Sequence, residues 1–395
     1  MTRRKILYIS SINLDTSSGA HIAMYRHLVY KQDFDVAVCS YVASNALVMN
    51  KQVIPWNFIQ GRLIHSRLSK LVYNLHYILS WYFLPQDLIR FAQQYQPDLI
   101  LTVPDNLHSG LALGLAKKLK IPLVANFQDL FPLSRFIPPF MEPFSWVRYF
   151  LNHQFFKLHR ESNLTFYTSE GMQQYFPSHD NGHILYPLGD FERPDIDLKD
   201  LSHSQDLKPP LTIIYAGNCY GSYGRMLLRF AREVKNSEQI QLKIFPVGKG
   251  WTDEEIQEMT EAGIYQSFLP FDELRKELAR AAAFLTVMSF EENDIPFVKT
   301  SFTTKWLDYT PYAKPIFVWS PEYASATIFA RHYDVGVVVN EDNASKLKNA
   351  ILELSQSQDL WQFYGKQSRK ISNTVLNPNQ IHQVFREQIT QLAQS

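Results

Sequence analysis

Short apolar, β-rich segments alternate with segments of helical periodicity, and this alternation occurs twice along the 395-residue chain. The first run begins at residues 5–11 (KILYISS) and continues to residues 183–186. The second begins at residues 211–216 and continues to residues 335–339. Because strand–helix–strand units join parallel strands, the pattern predicts two α/β domains, each with a mostly parallel sheet and helices on both faces.

Residues 191–210 separate the two runs and are polar, charged and interrupted by proline, which indicates a linker. We therefore predict an N-terminal Rossmann-like domain over residues 1–190 and a second one over residues 211–375. Residues 376–395 predict a C-terminal helix that packs on either domain, including a return to the first. A ligand is expected in the cleft between the carboxyl ends of the two sets of strands.

The composition excludes several classes of protein. A net charge of +1 argues against a dedicated nucleic-acid binder. The two cysteines, Cys39 and Cys219, form no close pair, which argues against a disulfide scaffold or structural zinc site and fits the reducing cytoplasm. No apolar run reaches the roughly 18 residues of a membrane span, and the basic start followed by KILYISS indicates a first strand rather than a secretion signal.

Residues 300–319 (TSFTTKWLDYTPYAKPIFVW) combine small hydroxyl residues with a lysine at the start of a short helical segment. Hydroxyl side chains cap free backbone amides, and a helix start favours an anion. Lys305 adds a mobile positive charge. The stretch is therefore either a phosphate cradle or an ordinary capped helix with a solvated lysine, and its position after a strand of the second domain favours the cradle.

Candidate acid–base residues follow predicted strands of the first domain. Asp105, His108 and Asp129 come directly after such strands, where a parallel sheet places functional groups. Each has a simpler interpretation as a helix cap or core residue. Glu170 also follows a strand, and we interpret it as a capping residue.

Two stretches, residues 56–91 and 138–160, interleave aromatic residues with arginine and lysine. This combination suits a membrane interface, and it equally suits core helices with solvated basic edges. The first interpretation predicts a protein that is peripheral to the inner face of the membrane.

In order along the chain, the segments IPLVANFQDLFP, LTFYTSEGM, IIYAGN, LKIFPVGKG and TSFTTKWLDYTPYAKP resemble those of GT-B glycosyltransferases of group 1, the family-4-like set. The most specific match is residues 301–315, which resemble the family's S-x-P-x-K-x-x-E-Y-x-x-x-G-K-P stretch with Lys305, Tyr309, Lys314 and Pro315 in place. The resemblance covers nearly the whole chain and implies two tandem Rossmann-like domains with the ligand cleft between them.

The resemblance further implies transfer of a hexose-like sugar from a nucleotide-diphosphate sugar to a polysaccharide or lipid-linked acceptor, with retention of anomeric configuration. It implies no metal and no cofactor beyond this co-substrate. Two D-x-D sequences occur, at residues 33–35 and 195–197, but one opens a predicted strand and the other lies in the linker.

Matching positions imply which residues bind the donor and which lie near the acceptor. The donor residues are Gly217, Asn218, Arg225, Lys249, Phe271, Ser301, Thr303, Thr304, Lys305 and Asp308; Asp129, His108 and Asp105 are on the acceptor side, and Ser18 and Gly19 form the first loop at the cleft. The chain departs from the family where Asn218 and Tyr223 replace the usual Arg and Lys, and where Thr300 and Ala313 replace a Glu and a Gly.

These departures leave two alternatives open beside a glycosyltransferase. A nucleotide-sugar 2-epimerase shares the architecture but needs acid–base carboxylates around one sugar. A non-catalytic nucleotide- or sugar-binding relative does not need both of the cations that normally hold the diphosphate. It would bind a nucleotide without turnover.

Overall fold

The computed structural model describes residues 3–15, 19–40, 50–53, 66–130, 138–192 and 207–392, and for Gly19, Ala20, Ser40, Asn50–Val53 and Phe271 the backbone only. The chain divides into two compact units. Unit 1 comprises the chain up to Leu188 together with residues from Ile381 onward, and unit 2 comprises Gly189–Gln380. Most of the expected linker, residues 193–206, lies outside the described residues.

Unit 1 contains a seven-stranded parallel sheet in the order β3-β2-β1-β4-β5-β6-β7. Its strands are β1 (Arg4–Ile9), β2 (Phe34–Ser40), β3 (Asn50–Val53), β4 (Leu99–Thr102), β5 (Leu123–Phe127), β6 (Leu164–Tyr167) and β7 (Gly182–Ile184). Its helices include α1 (Gly19–Tyr25), continued by a π turn over Arg26–Tyr30, then α2 (Ser69–Leu79), α3 (Gln86–Tyr95), α4 (Ser109–Leu119), α5 (Ser145–Glu161) and α6 (Glu170–Tyr175), with a 3-10 turn over Pro139–Met141.

Unit 2 contains a five-stranded parallel sheet in the order β12-β11-β10-β8-β9. Its strands are β8 (Leu211–Asn218), β9 (Ile240–Val247), β10 (Ala283–Val287), β11 (Ile316–Trp319) and β12 (Val337–Val339). The helices that follow in sequence are α7 (Gly221–Val234), α8 (Asp253–Glu261), α9 (Phe271–Arg280), α10 (Ile295–Thr300), α11 (Lys305–Tyr309), α12 (Ser325–His332), α13 (Ala344–Ser355), α14 (Gln358–Asn373) and α15 (Pro378–Leu392), with 3-10 turns over Glu292–Asp294 and Thr310–Tyr312.

The predicted α/β class with two Rossmann-like sheets is therefore confirmed. Strands β1, β4, β5, β10 and β11 are buried almost throughout, as expected for parallel strands covered on both faces. Both cysteines are buried and unpaired. The carboxyl ends of all strands of one sheet lie at one edge, and the candidate residues follow these ends.

Local structure differs from the sequence pattern at three places. The pattern predicts a glycine-bearing loop over residues 217–224 and a helix from Arg225, but the helix begins at Gly221 and includes Gly224, where a Cβ would lie 2.3 Å from the Cys219 carbonyl oxygen. It also predicts a short strand at residues 268–269, which is absent, and Phe268 is exposed. The polar segment NKQV carries no strand signal, yet it forms β3 by pairing with β2.

The last helix, α15, packs against unit 1 through a buried histidine pair. His27 Nδ1 lies 3.1 Å from His382 Nδ1, and His382 Nε2 lies 2.7 Å from Asp33 Oδ2. Phe385 is fully buried and contacts the rings of His27, Phe34 and Phe166. Burial, together with the neighbouring His382, holds the pKa of His27 well below its ordinary range.

This histidine pair predicts acid destabilisation. Below the ordinary histidine pKa of about 6.5 the unfolded chain takes up a proton that folded His27 resists, so the free energy of unfolding falls as pH decreases. We expect His27→Phe to flatten this slope by up to about 1 kcal/mol per pH unit. Urea unfolding between about pH 7.5 and pH 5.5 measures the slope.

The matched control is His332→Gln, which removes an exposed histidine of α12 and leaves the contacts of His27 in place, so His27→Phe should flatten the slope more than His332→Gln does. A His27→Phe slope that is parallel to that of the wild type would show that His27 titrates normally in the folded protein.

Candidate functional site

The candidate anion site of unit 2 is centred on the Lys305 ammonium. Its Nζ lies 4.6 Å from the centre of the Tyr215 ring, in β8, and a Cβ built on Gly217 would lie 2.9 Å from it. Lys305 is half-buried by area, yet burial of its ammonium lowers the pKa to about 8, and the charge of Asp308 only partly offsets this effect. Among the described residues, no oxygen accepts a hydrogen bond from this ammonium or pairs with it.

Gly217 provides the space that Lys305 occupies. Its φ of +139° lies in a region that side chains rarely adopt, so a larger residue would be strained as well as crowded. The next residue, Asn218, turns the chain: its Oδ1 accepts a hydrogen bond from the Tyr220 backbone at 2.9 Å. Helix α7 begins at Gly221, and its N-cap residue makes no capping bond through its side chain.

Tyr309 connects the lysine helix to strand β8. The Ala216 backbone N–H donates to Tyr309 Oη at 2.8 Å, and the Tyr309 ring stacks on Phe284 at 4.5 Å. Tyr309 is buried, so this contact fixes α11 against the sheet. Sequence reasoning missed both Tyr215 and the Ala216 bond, because both depend on contacts about 90 residues apart.

The hydroxyl residues before Lys305 are arranged differently from the prediction. Thr300 ends α10, and its hydroxyl donates to the Pro296 carbonyl at 2.8 Å. Thr303 Oγ1 lies 3.5 Å from Thr286 Oγ1, at the end of β10, while Thr304 is exposed and makes no side-chain cap. The Ser301 backbone amide donates to Phe297 O at 2.8 Å. No side chain caps α11, so the capped-helix interpretation is wrong for this helix. Lys305 itself is the main cationic group of the candidate anion site.

The other two predicted donor cations are paired at the surface. Arg225 forms an ion pair with Glu291, and Lys249 forms one with Asp253; both cations are mostly exposed. The side chain of Phe271 and the whole of Ser18 lie outside what the structure describes, and Gly19 is the first residue of α1. Lys314, kept from the family pattern, is buried and donates to the Ala279 and Ala281 carbonyls, which is a structural role.

In unit 1, Asp105 and His108 form a buried pair after β4. Asp105 accepts hydrogen bonds from the backbone amides of Ser11, Leu107 and His108 at 2.6–2.8 Å. Its Oδ2 also lies 3.0 Å from His108 Nδ1. Burial alone would raise the pKa of Asp105, but His108 and the amide donors outweigh it and lower the pKa to about 2. Asp105 therefore stays ionised and orients His108.

Asp129 has the opposite environment. It follows β5 and is half-buried by area, yet burial of its carboxyl raises the pKa to about 7, and no described residue donates a hydrogen bond to it. A carboxyl that titrates near neutrality can both accept and release a proton under physiological conditions. Glu170, by contrast, does not cap α6: Ser169 does so, and the Glu170 carboxylate accepts a hydrogen bond from Tyr186.

No three His, Cys, Asp or Glu side chains cluster closely enough to hold a metal ion in the described part of the chain. The D-x-D at residues 195–197 lies outside it. In the other, Asp33 pairs with His382 and Asp35 lies in β2.

The close approach of Gly217 and Lys305 yields a stability prediction. Gly217→Ala should lower the free energy of unfolding by about 2–3 kcal/mol, because it strains the backbone and pushes the ammonium aside. Gly263→Ala is the matched control: φ is +70° but nothing lies within 4 Å, so it should cost about 1 kcal/mol.

Urea unfolding measures both costs. The extent to which Lys305 is acylated, measured by mass spectrometry, should change in Gly217→Ala and not in Gly263→Ala. Equal costs and unchanged acylation in both variants would contradict the described position of Lys305.

No protein-family model and no curated protein matches the chain. Solved structures do. HepE from Anabaena, in complex with UDP and glucose, is 13% identical over 98% of this chain and 100% of its own, with a TM-score of 0.62. Sucrose-phosphate synthase from Thermosynechococcus elongatus is 12% identical over 99% of both chains, with a TM-score of 0.63. WaaG, a glycosyltransferase involved in lipopolysaccharide biosynthesis, is 11% identical over 96% of this chain and 99% of its own, with a TM-score of 0.57. The chain therefore has the GT-B fold of these proteins, with two Rossmann-like units.

Proposed function

We propose that the protein is a glycosyltransferase that moves a sugar from a nucleotide-diphosphate sugar to a hydroxyl group of a saccharide or lipid-linked acceptor. The observation that carries the proposal is the Lys305 ammonium, which has no hydrogen-bond or ion-pair partner among the described residues and lies over Tyr215 beside Gly217 at the carboxyl end of β8. A half-buried cation whose charge is only partly offset, here by Asp308, favours an anionic ligand. The fold supports the same function, since HepE with this fold was solved with UDP and glucose.

In the transfer, the acceptor oxygen forms a bond to the anomeric carbon while the bond from that carbon to the diphosphate oxygen breaks. The electron pair of the broken bond stays on the diphosphate. We assign stabilisation of this charge to Lys305 and to the uncapped first turn of α7. In this proposal these groups replace a metal ion.

Asp129 is the proposed acceptor-side residue. Its raised pKa suits a group that orients a hydroxyl and exchanges a proton with it near neutral pH. His108 is held by Asp105, so Asp105 is a positioning residue in this scheme. Retention of configuration, which the resemblance implies, remains part of the proposal; in that case the leaving diphosphate oxygen takes the proton and Asp129 orients the hydroxyl.

Removal of the Lys305 charge tests the proposal. Lys305→Met should weaken UDP, GDP or ADP binding by about 10- to 100-fold, the contribution of one charge-assisted hydrogen bond, and should weaken binding of the matching nucleoside little. Calorimetric titration of each nucleotide measures both. Failure of all three diphosphates to bind wild type, or an equal loss for nucleoside and diphosphate, contradicts the proposed role.

Two further variants control this measurement. Lys346→Met removes an exposed lysine that pairs with Glu341 and should leave nucleotide binding unchanged. Because the pKa of Lys305 is lowered to about 8, diphosphate affinity of the wild type should fall as pH rises through that value, whereas Lys305→Arg stays charged and should show no such fall.

We also propose that unit 1 contacts a membrane surface. Within the described ranges, no helix is both long and apolar enough to cross a membrane. Helix α2 with its N-cap residue, helix α5 and the 3-10 turn over Pro139–Met141 nevertheless expose large apolar side chains, namely Leu68, Leu71, Leu75, Phe140, Trp146 and Tyr149. Residues 56–65 of the predicted interface lie outside the described residues.

The cations of this surface are partly neutralised. Lys70 and Arg148 both pair with Glu142 at 3.1 Å, and Arg90 lies 3.7 Å from Asp87. Apolar insertion by Trp146 and Tyr149, which are 62% and 80% exposed, is therefore the larger proposed contribution to membrane binding.

Vesicle co-sedimentation tests this surface. The protein should sediment with phosphatidylglycerol–phosphatidylcholine vesicles, and Trp146→Ser with Tyr149→Ser should reduce the bound fraction several-fold. Leu360→Ser with Phe363→Ser, an exposed apolar pair in unit 2, is the control and should bind as wild type does. Binding that both double variants retain equally would rule out this surface.

A further inference from the structure

The Lys305 side chain holds an amino group in one place and leaves it open to solvent. Its Nζ lies 4.6 Å from the centre of the Tyr215 ring, in the space that Gly217 leaves because it has no Cβ. No described oxygen accepts a hydrogen bond from Nζ, and Nζ is not closed to solvent. An amine in such a position, once it has lost its proton, presents its lone pair to a reagent from solution.

Lys314 shows that the position of Lys305, and not its basicity alone, is unusual. Burial lowers the pKa of both lysines to about 8. Lys314, however, is only 9% exposed, and its Nζ donates to the carbonyls of Ala279 and Ala281. A reagent would have to break these hydrogen bonds and enter the core to reach Lys314. Of these two weakly basic amines, Lys305 is therefore the accessible one.

The groups that face Lys305 leave part of it neutral near physiological pH. Burial has the largest effect on its pKa, and the negative charge of Asp308, in the same helix, partly opposes it. Burial also raises the pKa of the Cys219 thiol to about 12 and that of Tyr215 well above its ordinary value, so neither carries charge near neutrality. At pH 7.5, roughly a quarter of a lysine with a pKa of about 8 is neutral, compared with about one part in a thousand for an ordinary lysine.

The two protonation states of Lys305 favour one class of reagent. The ammonium form attracts an anion, because its charge is only partly offset. The amine form attacks an electrophilic carbon. An acyl phosphate combines a phosphate anion with such a carbon, and exchange of a proton with solvent converts the form that attracts it into the form that reacts with it.

We propose that Lys305 is a modification site at which small acyl phosphates acylate this protein. The lone pair of the neutral Nζ forms a bond to the acyl carbon, and the bond from that carbon to the phosphate oxygen breaks. The electron pair of the broken bond stays on the phosphate, which also takes up the proton that the nitrogen releases. The product is an uncharged amide, so acylation removes the charge of the candidate anion site. Its effect on nucleotide binding rests on the proposed glycosyltransferase function, whereas the modification itself does not.

Treatment of the full-length protein with acetyl phosphate tests the proposal, and mass spectrometry measures the acetylation rate of each lysine. At pH 7.5, Lys305 should react at least about 10-fold faster than Lys276, an exposed lysine of α9 without an ion-pair partner in the described part of the chain. Lys314 should react at least about 10-fold more slowly than Lys305 until urea unfolds the protein. The rate at Lys305 should level off above about pH 9, where its amine is almost fully neutral.

Two controls separate recognition of the phosphate from the reactivity of the amine. With N-acetoxysuccinimide, an uncharged acetylating reagent, the ratio of the Lys305 rate to the Lys276 rate should be at least about 3-fold smaller than with acetyl phosphate. Pyrophosphate should protect Lys305 from acetyl phosphate and leave the rate at Lys276 unchanged.

Three results would overturn the proposal: a rate at Lys305 no higher than that at Lys276, a rate at Lys314 equal to that at Lys305, or the same rate ratio with both reagents. UDP titration after acetylation should show affinity reduced about 10- to 100-fold in wild type and unchanged in Lys305→Arg, which acetyl phosphate cannot modify at this position. Selective acetylation of a protein that binds no UDP, GDP or ADP would reject the glycosyltransferase and leave the modification site standing. UDP binding without selective acetylation would do the reverse.

Discussion

Unit 2 depends on the hydrogen bond between the Ala216 amide and Tyr309 Oη. Strand β8 places Tyr215, Ala216 and Gly217 in succession, and this bond fixes α11 beside them. The Lys305 side chain then lies over the Tyr215 ring, in the space that Gly217 leaves because it has no Cβ. The aromatic ring stabilises the cation without neutralising it, so the charge remains available to a ligand.

The two units leave different polar groups unsatisfied, and this difference separates their chemistry. Among the described residues, unit 2 carries an ammonium with no hydrogen-bond or ion-pair partner, while unit 1 carries a carboxyl with a raised pKa. Under the proposed function, the ammonium meets the leaving diphosphate and the carboxyl meets the acceptor hydroxyl.

The sequence predicted the alternating strands, the two sheets and the position of Lys305, because apolar periodicity and strand-end placement are local signals. It did not predict that Tyr215 lies under Lys305 or that Tyr309 binds β8, since these contacts join residues about 90 positions apart. Arg225 and Lys249 were counted as donor cations, but their pairing with Glu291 and Asp253 becomes visible only when the chain is folded.

Helix α15 also sets the order in which this protein completes its folding during synthesis. Unit 2 is one continuous segment, whereas unit 1 needs Phe385 between His27, Phe34 and Phe166. The ribosome releases all of unit 2 before it releases Phe385. Unit 1 is therefore synthesised first, but it completes its folding after unit 2. Until then Phe34 and Phe166 lack their buried neighbour, and a nascent chain of this length is expected to expose an apolar groove that attracts chaperones.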